Sequence, residues 1–365
     1  MRIAITTSDS QEGRHVAESL VNYPQIILSG TDPDLPEPPL HGYEKYSDFQ
    51  EIARGMKAVL HSCWDSVLGR TIAIKRLLPE HATDGYERRR FLREARVTAQ
   101  LQHPNTVPVY EIGKDDEGGL YFTMKRLTGE NFFKILQRLS WGDAVAERRL
   151  GLDVQIEFII QACQALAYSH LHGIIHRDIK PENIWIGEYG EVVLLDWGVA
   201  KVWGTPNDGH MPETQQQDDV DASLPHEIAT SDEGELRTLT MHGQRPGTPL
   251  YMSPEQVRDR PLDERTDIFS MGVLIYEMLT FHEPFRGRTV EETFQRILHV
   301  PLKPPSEAAP DRHLPESLDR IVTRATSKNR EDRYDSVLEM ISELRAARLD
   351  VLRAGDRKSA VKVID

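Results

Sequence analysis

The sequence predicts an α+β chain in two parts, a small antiparallel-β part with one long helix and a larger, mainly helical part. Three observations carry that expectation. From Tyr46 to Leu127, short β-branched and aromatic runs alternate with turn residues, the pattern of a meander. One charged stretch, Glu87 to Gln102, interrupts them with Phe91, Leu92, Ala95, Ala99 and Leu101 at helical spacing. After Gly129 apolar residues recur at helical spacing through most of the remaining chain.

Residues 1–45 form an N-terminal extension. Ile3-Ala4-Ile5 suits a short strand and Val16 to Val21 a turn or two of helix. Thr31 to Pro39 reads as an acidic, proline-rich linker, because its prolines fix φ and remove backbone donors. An unstructured tail and a docking arm both fit this extension. Residues 46–127 follow as the small part. Strands are expected at Phe49 to Ile52, Ala58 to His61 and Arg70 to Leu77, with turns at Asp65 and Gly69. His103-Pro104-Asn105 ends the helix, and strands at Val107 to Gly113 and Gly119 to Leu127 complete the meander.

Residues 128–345 form the larger part. Helices are expected at Phe132 to Leu139 and Val154 to His172, the second with Ile156, Ile159, Ile160, Cys163, Leu166, Ala167 and His170 along one side. A polar loop, His176 to Asn183, precedes a hairpin of Ile184 to Ile186 and Val192 to Leu195 that turns at Tyr189-Gly190. Residues 205–235 are an insert of another kind. Between Asn207 and Glu235 it has many acids, three consecutive glutamines and no Lys or Arg, a composition that favours disorder. An apolar helix at Asp267 to Thr280 and several amphipathic helices to about Leu352 complete the order. Residues 346–365 read as a C-terminal tail, frayed and basic at its end.

The chain has 365 residues, 39% hydrophobic and 28% charged, enough for one large bilobed domain or two ordinary ones, with a core that needs no staples. Its 44 basic against 58 acidic residues leave a formal charge of −14, which argues against a general binder of nucleic acid or anionic membrane. No run approaches the ~18 apolar residues of a membrane span, and the N-terminus lacks the pattern of a signal peptide. With Cys63 and Cys163 as the only cysteines, a disulfide framework is not expected, and the cytoplasm is the expected location.

The stretch His176-Arg177-Asp178-Ile179-Lys180-Pro181-Glu182-Asn183 is the densest in chemistry. Within a few residues, and with Asp196 close behind, it offers carboxylates, an ammonium and an amide, the groups needed to handle a hydroxyl nucleophile, a triphosphate and a divalent metal. Lys75, on the strand Ile72-Ala73-Ile74-Lys75, fits either a snorkelling surface residue or a partner for an ion pair with Glu94 on the following helix. Glu94 alone fits a solvated helix face.

Several ordered stretches together resemble a eukaryotic-type serine/threonine protein kinase, most similar to the bacterial members. They are IAIK at 72–75, FLREA at 91–95, HPN at 103–105, HRDIKPEN at 176–183 and DWG at 196–198. GTPLYMSPE at 247–255, DIFSMGVLIYEMLT at 267–280 and NREDRY at 329–334 complete the set. The resemblance covers about residues 46–345 and implies the bilobed protein-kinase fold. It implies ATP and Mg2+ as cofactors and proteins with Ser or Thr acceptors as substrates, with autophosphorylation expected.

The resemblance also implies roles. Asp178 accepts or orients the substrate hydroxyl proton, Lys180 neutralises charge on the transferring phosphoryl group, and Thr248 bridges the two. Asn183 and Asp196 hold magnesium. Lys75, paired to Glu94, contacts the nucleotide phosphates. Met124 stands at the back of the adenine pocket, with Leu127 at the end of the hinge segment and Ile52, Gly55 and Val59 in the lid over the phosphates. Asp267 holds the catalytic-loop backbone or serves as a simple helix cap, and Glu255 pairs with Arg333. Arg177 is the expected receptor for a phosphate on Thr238 or Thr240 in the activation segment.

One stretch departs from the pattern. Aligning Val59 with the valine of the glycine-rich loop G-x-G-x-x-G-x-V puts Ile52, Arg54 and Lys57 at the three glycine positions, with Gly55 between. Side chains there hold the backbone away from phosphate, and Lys57 and Arg54 are expected to compensate by offering charge to it directly. A catalytically weak pseudokinase scaffold is therefore the alternative to an active enzyme. A small-molecule kinase is a third class, disfavoured by GTPLYMSPE, which resembles a peptide-positioning segment.

Overall fold

The computed structural model describes residues 40–202 and 249–361, with 201–202 and 355–361 by backbone alone. The expected strand at Ile3, the helical turn at Val16, the linker at 31–39 and the acidic insert lie outside the described residues. So do Thr238, Thr240 and Thr248. Among the described residues the chain forms two compact units, one of residues 40–88 with Val109–Arg126, the other of Arg89–Pro108 with those from Leu127 onward.

The smaller unit is a five-stranded antiparallel sheet. β1 (Tyr46–Arg54), β2 (Ala58–Asp65), β3 (Arg70–Leu77), β4 (Val109–Lys114) and β5 (Leu120–Met124) lie in the order β1-β2-β3-β5-β4. β1 and β2 run longer than their apolar patterns because hairpin pairing continues beyond them, from Tyr46 opposite Asp65 to Arg54 opposite Val59. β4 and β5 are shorter than expected. Tyr46, Cys63, Ile72, Ile74 and Tyr121 form the core beside the sheet. At its edge, Glu111 accepts from Tyr46 Oη at 2.9 Å and Tyr121 Oη at 3.0 Å and is ion-paired with Lys45. Burial pushes the Glu111 carboxyl up, but these three donors outweigh it and hold the group below its ordinary value.

Helix α1 (Gly85–Gln100) begins in this unit and ends in the other. Its start precedes the expected Glu87 because the Asp84 carboxylate accepts from Tyr86 N and Glu87 N, a cap that opens the helix early.

The larger unit is built on helices. After β6 (Glu130–Asn131) come α2 (Phe132–Ser140), α3 (Ala144–Arg149) and α4 (Leu152–Leu171). α3 is not expected from the sequence: of its six residues only Ala146 is buried, so no apolar period announces it, and Asp143 caps it through Val145 N and Ala146 N. β7 (Ile174–Ile175), β8 (Ile184–Ile186), β9 (Val192–Leu194) and β10 (Lys201–Val202) follow, pairing as β6-β8-β9 and β10-β7. Then come α5 (Pro254–Val257), α6 (Arg265–Thr280), α7 (Val290–His299), α8 (Pro305–Ala308), α9 (Glu316–Ala325) and α10 (Val337–Val361).

α6 is the axis of this core, with every residue from Thr266 to Thr280 buried. Such a helix must be small where a neighbour crosses it. A Cβ on Gly272 would lie 2.7 Å from Ala325 Cβ and 2.9 Å from Thr326 Cγ2, so glycine is what admits α9. α10 packs on α4, where Arg348 Nε donates to Asp153 O at 3.0 Å and its Nη1 pairs with Glu157 at 2.7 Å. The helix continues to Val361, so most of the stretch expected to fray is helical.

Candidate active site

The polar loop His176 to Asn183 sits between β7 and β8, and its geometry is set by α6. Asp267, fully buried, accepts from His176 N and Arg177 N, both at 2.8 Å, and contacts His170 Nε2 on α4 at 2.8 Å. Burial pushes this carboxyl up, but the His170 hydrogen bond and charge, with the His176 contacts, outweigh it and keep Asp267 below the usual carboxylate range. Arg177 takes a φ of 68°, a left-handed conformation uncommon for a side-chain-bearing residue, and these bonds sustain it. Arg177 O also accepts from Gln256 Nε2 at 3.0 Å.

His176 is fully buried and its tautomer follows from its partners. Nδ1 faces Asp178 N at 3.2 Å and so accepts, while Nε2 faces Leu195 O at 2.9 Å and so carries the proton. Its ring packs 4.5 Å from that of Trp197, also fully buried, so tryptophan serves here as an apolar packer as its size allows.

Two of the expected site side chains, Lys180 and Asn183, meet at Asp178. Lys180 Nζ donates to Asp178 Oδ2 at 2.6 Å, and Asn183 Nδ2 donates to the same oxygen at 3.1 Å and to Asp178 O at 2.8 Å. The Asp178 and Lys180 side chains are 34% and 23% exposed, so neither is sealed from solvent. Leu195 N donates to Asn183 O at 2.8 Å, which seats Asp196 beside the loop. Asp196 has a φ of 62° and accepts from Gly198 N at 3.3 Å. A Cβ on Gly198 would come within 3.1 Å of Asp196 Oδ1 and 3.5 Å of Glu94 Oε2, so Glu94 of α1 lies next to this turn. The Arg177 guanidinium reaches it as well, Nε donating to Val199 O at 2.5 Å.

Of the expected site residues, the structure brings Arg177, Asp178, Lys180, Asn183, Asp196 and Glu94 together within the larger unit, which also contains Leu127. Lys75 on β3, Met124 at the end of β5, Ile52 on β1, Gly55 in the turn and Val59 on β2 belong to the smaller unit. Lys75 Nζ is 5.8 Å from the centre of the Phe122 ring. Lys57 is ion-paired with Glu87, and Arg54 Nη2 with Glu51 at 2.6 Å, because each has a carboxylate close by on its own unit.

The expected Glu255–Arg333 pair is present. Arg333 Nη1 and Nη2 meet the two Glu255 oxygens at 2.6 and 2.8 Å, Nε donates to Ser327 O at 2.8 Å, and Thr266 Oγ1 donates to Glu255 at 2.9 Å. His170, expected only along the apolar side of its helix, contacts Asp267, and Gln256 donates to Arg177 O, two contacts that sequence reasoning did not give. A histidine six residues before His176, at the end of an apolar helix, was the available signal for the first.

A family model described as the protein kinase domain matches residues 46–344. The serine/threonine-protein kinase PknD of Protochlamydia amoebophila is 32% identical over 303 residues, 82% of this chain and 29% of that protein. The PknD proteins of Chlamydia pneumoniae and Chlamydia abortus are 33% and 30% identical, each over 82% of this chain and 31% of their own length. The chain thus spans about a third of the length of the curated relatives it matches.

Proposed function

The chain belongs to the protein kinase family, and on that premise we propose that it is a serine/threonine protein kinase moving the γ-phosphoryl group of ATP to Ser or Thr hydroxyls of proteins. The observation that supports this most directly is the Asp178 carboxylate, held by Lys180 at 2.6 Å and Asn183 at 3.1 Å. A carboxylate so placed accepts a hydroxyl proton as the nucleophile attacks in line, and the adjacent ammonium offsets the charge that builds on the transferring group.

Asn183 and Asp196 present hard oxygen atoms, the donor chemistry that magnesium takes, and are the residues assigned to hold it. When bound, the metal neutralises phosphate charge. Lys75 and Glu94 are assigned to the nucleotide phosphates, and Ile52, Gly55, Val59, Met124 and Leu127 to the remainder of the ATP site. Thr248 is assigned to bridge Asp178 and Lys180. Arg177 is assigned to receive a phosphate on Thr238 or Thr240.

The alternative of a silent scaffold is less well supported, since Lys75, Glu94, Asp178, Lys180, Asn183 and Asp196 are all present. Among the described residues no helix is long and apolar enough to cross a membrane. A cytoplasmic setting fits Cys63 and Cys163, both free and buried. The test is incubation with Mg-ATP and a protein rich in Ser and Thr, followed by phosphoamino-acid analysis and phosphopeptide mapping. Phosphoserine or phosphothreonine is expected, with autophosphorylation between Trp203 and Thr248. Absence of transfer from folded, ATP-binding protein overturns the reading.

A further inference from the structure

The β1–β2 hairpin stands where the family places its glycine-rich loop, yet it carries Ile52, Arg54 and Lys57 at the three glycine positions. Its tip is closed by Gly55 N donating to Ala58 O at 2.9 Å. Three contacts then fasten that tip to the segment after β3. Leu78 N donates to Lys57 O at 2.9 Å. His81 Nε2 lies 3.1 Å from Met56 O, where it serves as donor. The Lys57 ammonium is ion-paired with the carboxylate of Glu87, a residue only 8% exposed in the first turn of α1. The anchor is itself fixed. Asp84 accepts from Tyr86 N at 2.8 Å and Glu87 N at 3.3 Å, and Arg88 Nη1 donates to Ala82 O at 2.9 Å.

We propose that Lys57 and Glu87 form a strap that ties the nucleotide lid to the start of α1, ordering the hairpin by protein contacts where glycine loops are left free. The proposal rests on the ATP-dependent kinase reading. Both are positioning residues: the Lys57 charge is committed to Glu87, and its effect on nucleotide passes through the hairpin backbone. A lysine that instead held phosphate directly would be competed for by Glu87, so the two possibilities give opposite signs. Neutralising Glu87 loosens a strap but releases a phosphate-binding lysine.

The experiment measures the KM for ATP, kcat and amide exchange across residues 50–60 in the full chain. Wild type is compared with Lys57→Met, Glu87→Gln and the double variant. Each single change is expected to raise the KM about two- to fivefold, the scale of a partly exposed ion pair, with kcat within about twofold and faster exchange at the tip. The double variant is expected to be no worse than the worse single, because either change alone already opens the strap. A Glu87→Gln enzyme with unchanged or lower KM and unchanged exchange overturns the proposal, as does additivity in the double variant. If wild type transfers no phosphate, the kinase reading fails on its own, and the exchange comparison still decides whether the strap exists.

Discussion

Replacing Arg333 with methionine removes the cation of a buried ion pair in the larger unit. The Arg333 side chain has no exposure and Glu255 has 7%. Its guanidinium uses Nη1 and Nη2 on the Glu255 carboxylate, Nη1 also on Arg265 O at 3.0 Å, and Nε on Ser327 O. Methionine fills part of the volume but leaves a buried carboxylate with Thr266 as its remaining side-chain donor. Breaking such a pair on one side costs about 3–5 kcal/mol, a large share of the ~5–15 kcal/mol that holds a domain together. At about 2–4 °C per kcal/mol for a domain of this size, the melting midpoint falls by roughly 6–20 °C. Calorimetry at pH 7 measures it.

Acid supplies a second signature. Burial pushes Glu255 up, but Arg333 outweighs it and holds the folded carboxyl below its ordinary value. The pair's stabilisation is therefore complete above the unfolded value of about 4.3 and is lost as pH falls through the lower folded value. The gap between wild type and variant narrows in acid. Glu255→Gln combined with Arg333→Met is expected to be milder than Arg333→Met alone. A fall of less than about 3 °C, with no narrowing in acid, would refute the pair's role.

Asp267→Asn leaves one acceptor oxygen where the carboxylate offers two to His176 N and Arg177 N, and its amide N–H groups face donors. Loss of about 2–4 kcal/mol of stability and at least tenfold in kcat is expected, with the KM for peptide less affected, measured by denaturation and steady-state kinetics. Retained kcat would separate the catalytic loop from α6. At Lys328, burial, with Arg333 nearby, lowers the ammonium pKa to about 7, while the Phe285 ring 3.7 Å away offers the cation partial relief. Between about pH 7 and the unfolded value of about 10.4 the unfolded chain binds more protons, so stability from this group rises with pH. Urea midpoints at pH 6.5 and 9 are expected to differ more in wild type than in Lys328→Met, and equal differences would contradict the burial.

Much of the site was legible because its chemistry is local. Asp178, Lys180 and Asn183 sit within one loop, and their mutual contacts follow from that spacing once the backbone is anchored. Glu255 and Arg333 were legible only through the resemblance, since no local pattern joins residues 78 positions apart. What escaped was long-range and individual. His170 reaches Asp267 from another helix, and Gln256 reaches Arg177 O from the far side of the insert. The ion pairs of Lys57 with Glu87 and of Arg54 with Glu51 were likewise not read from the sequence, since charge alone names no partner. Strand ends and the short α3 were missed for the same reason, being set by pairing and capping rather than by apolar period.

The direct test of the catalytic assignment is transfer of labelled phosphate from Mg-ATP to a Ser/Thr protein substrate by wild type and by Asp178→Asn at equal concentration. Asparagine keeps the shape and the contact with Asn183 but cannot take a proton. A loss of about 10²–10⁴ in kcat with nucleotide binding retained is predicted. Equal rates in the two proteins would contradict the role of Asp178 and the mechanism built on it.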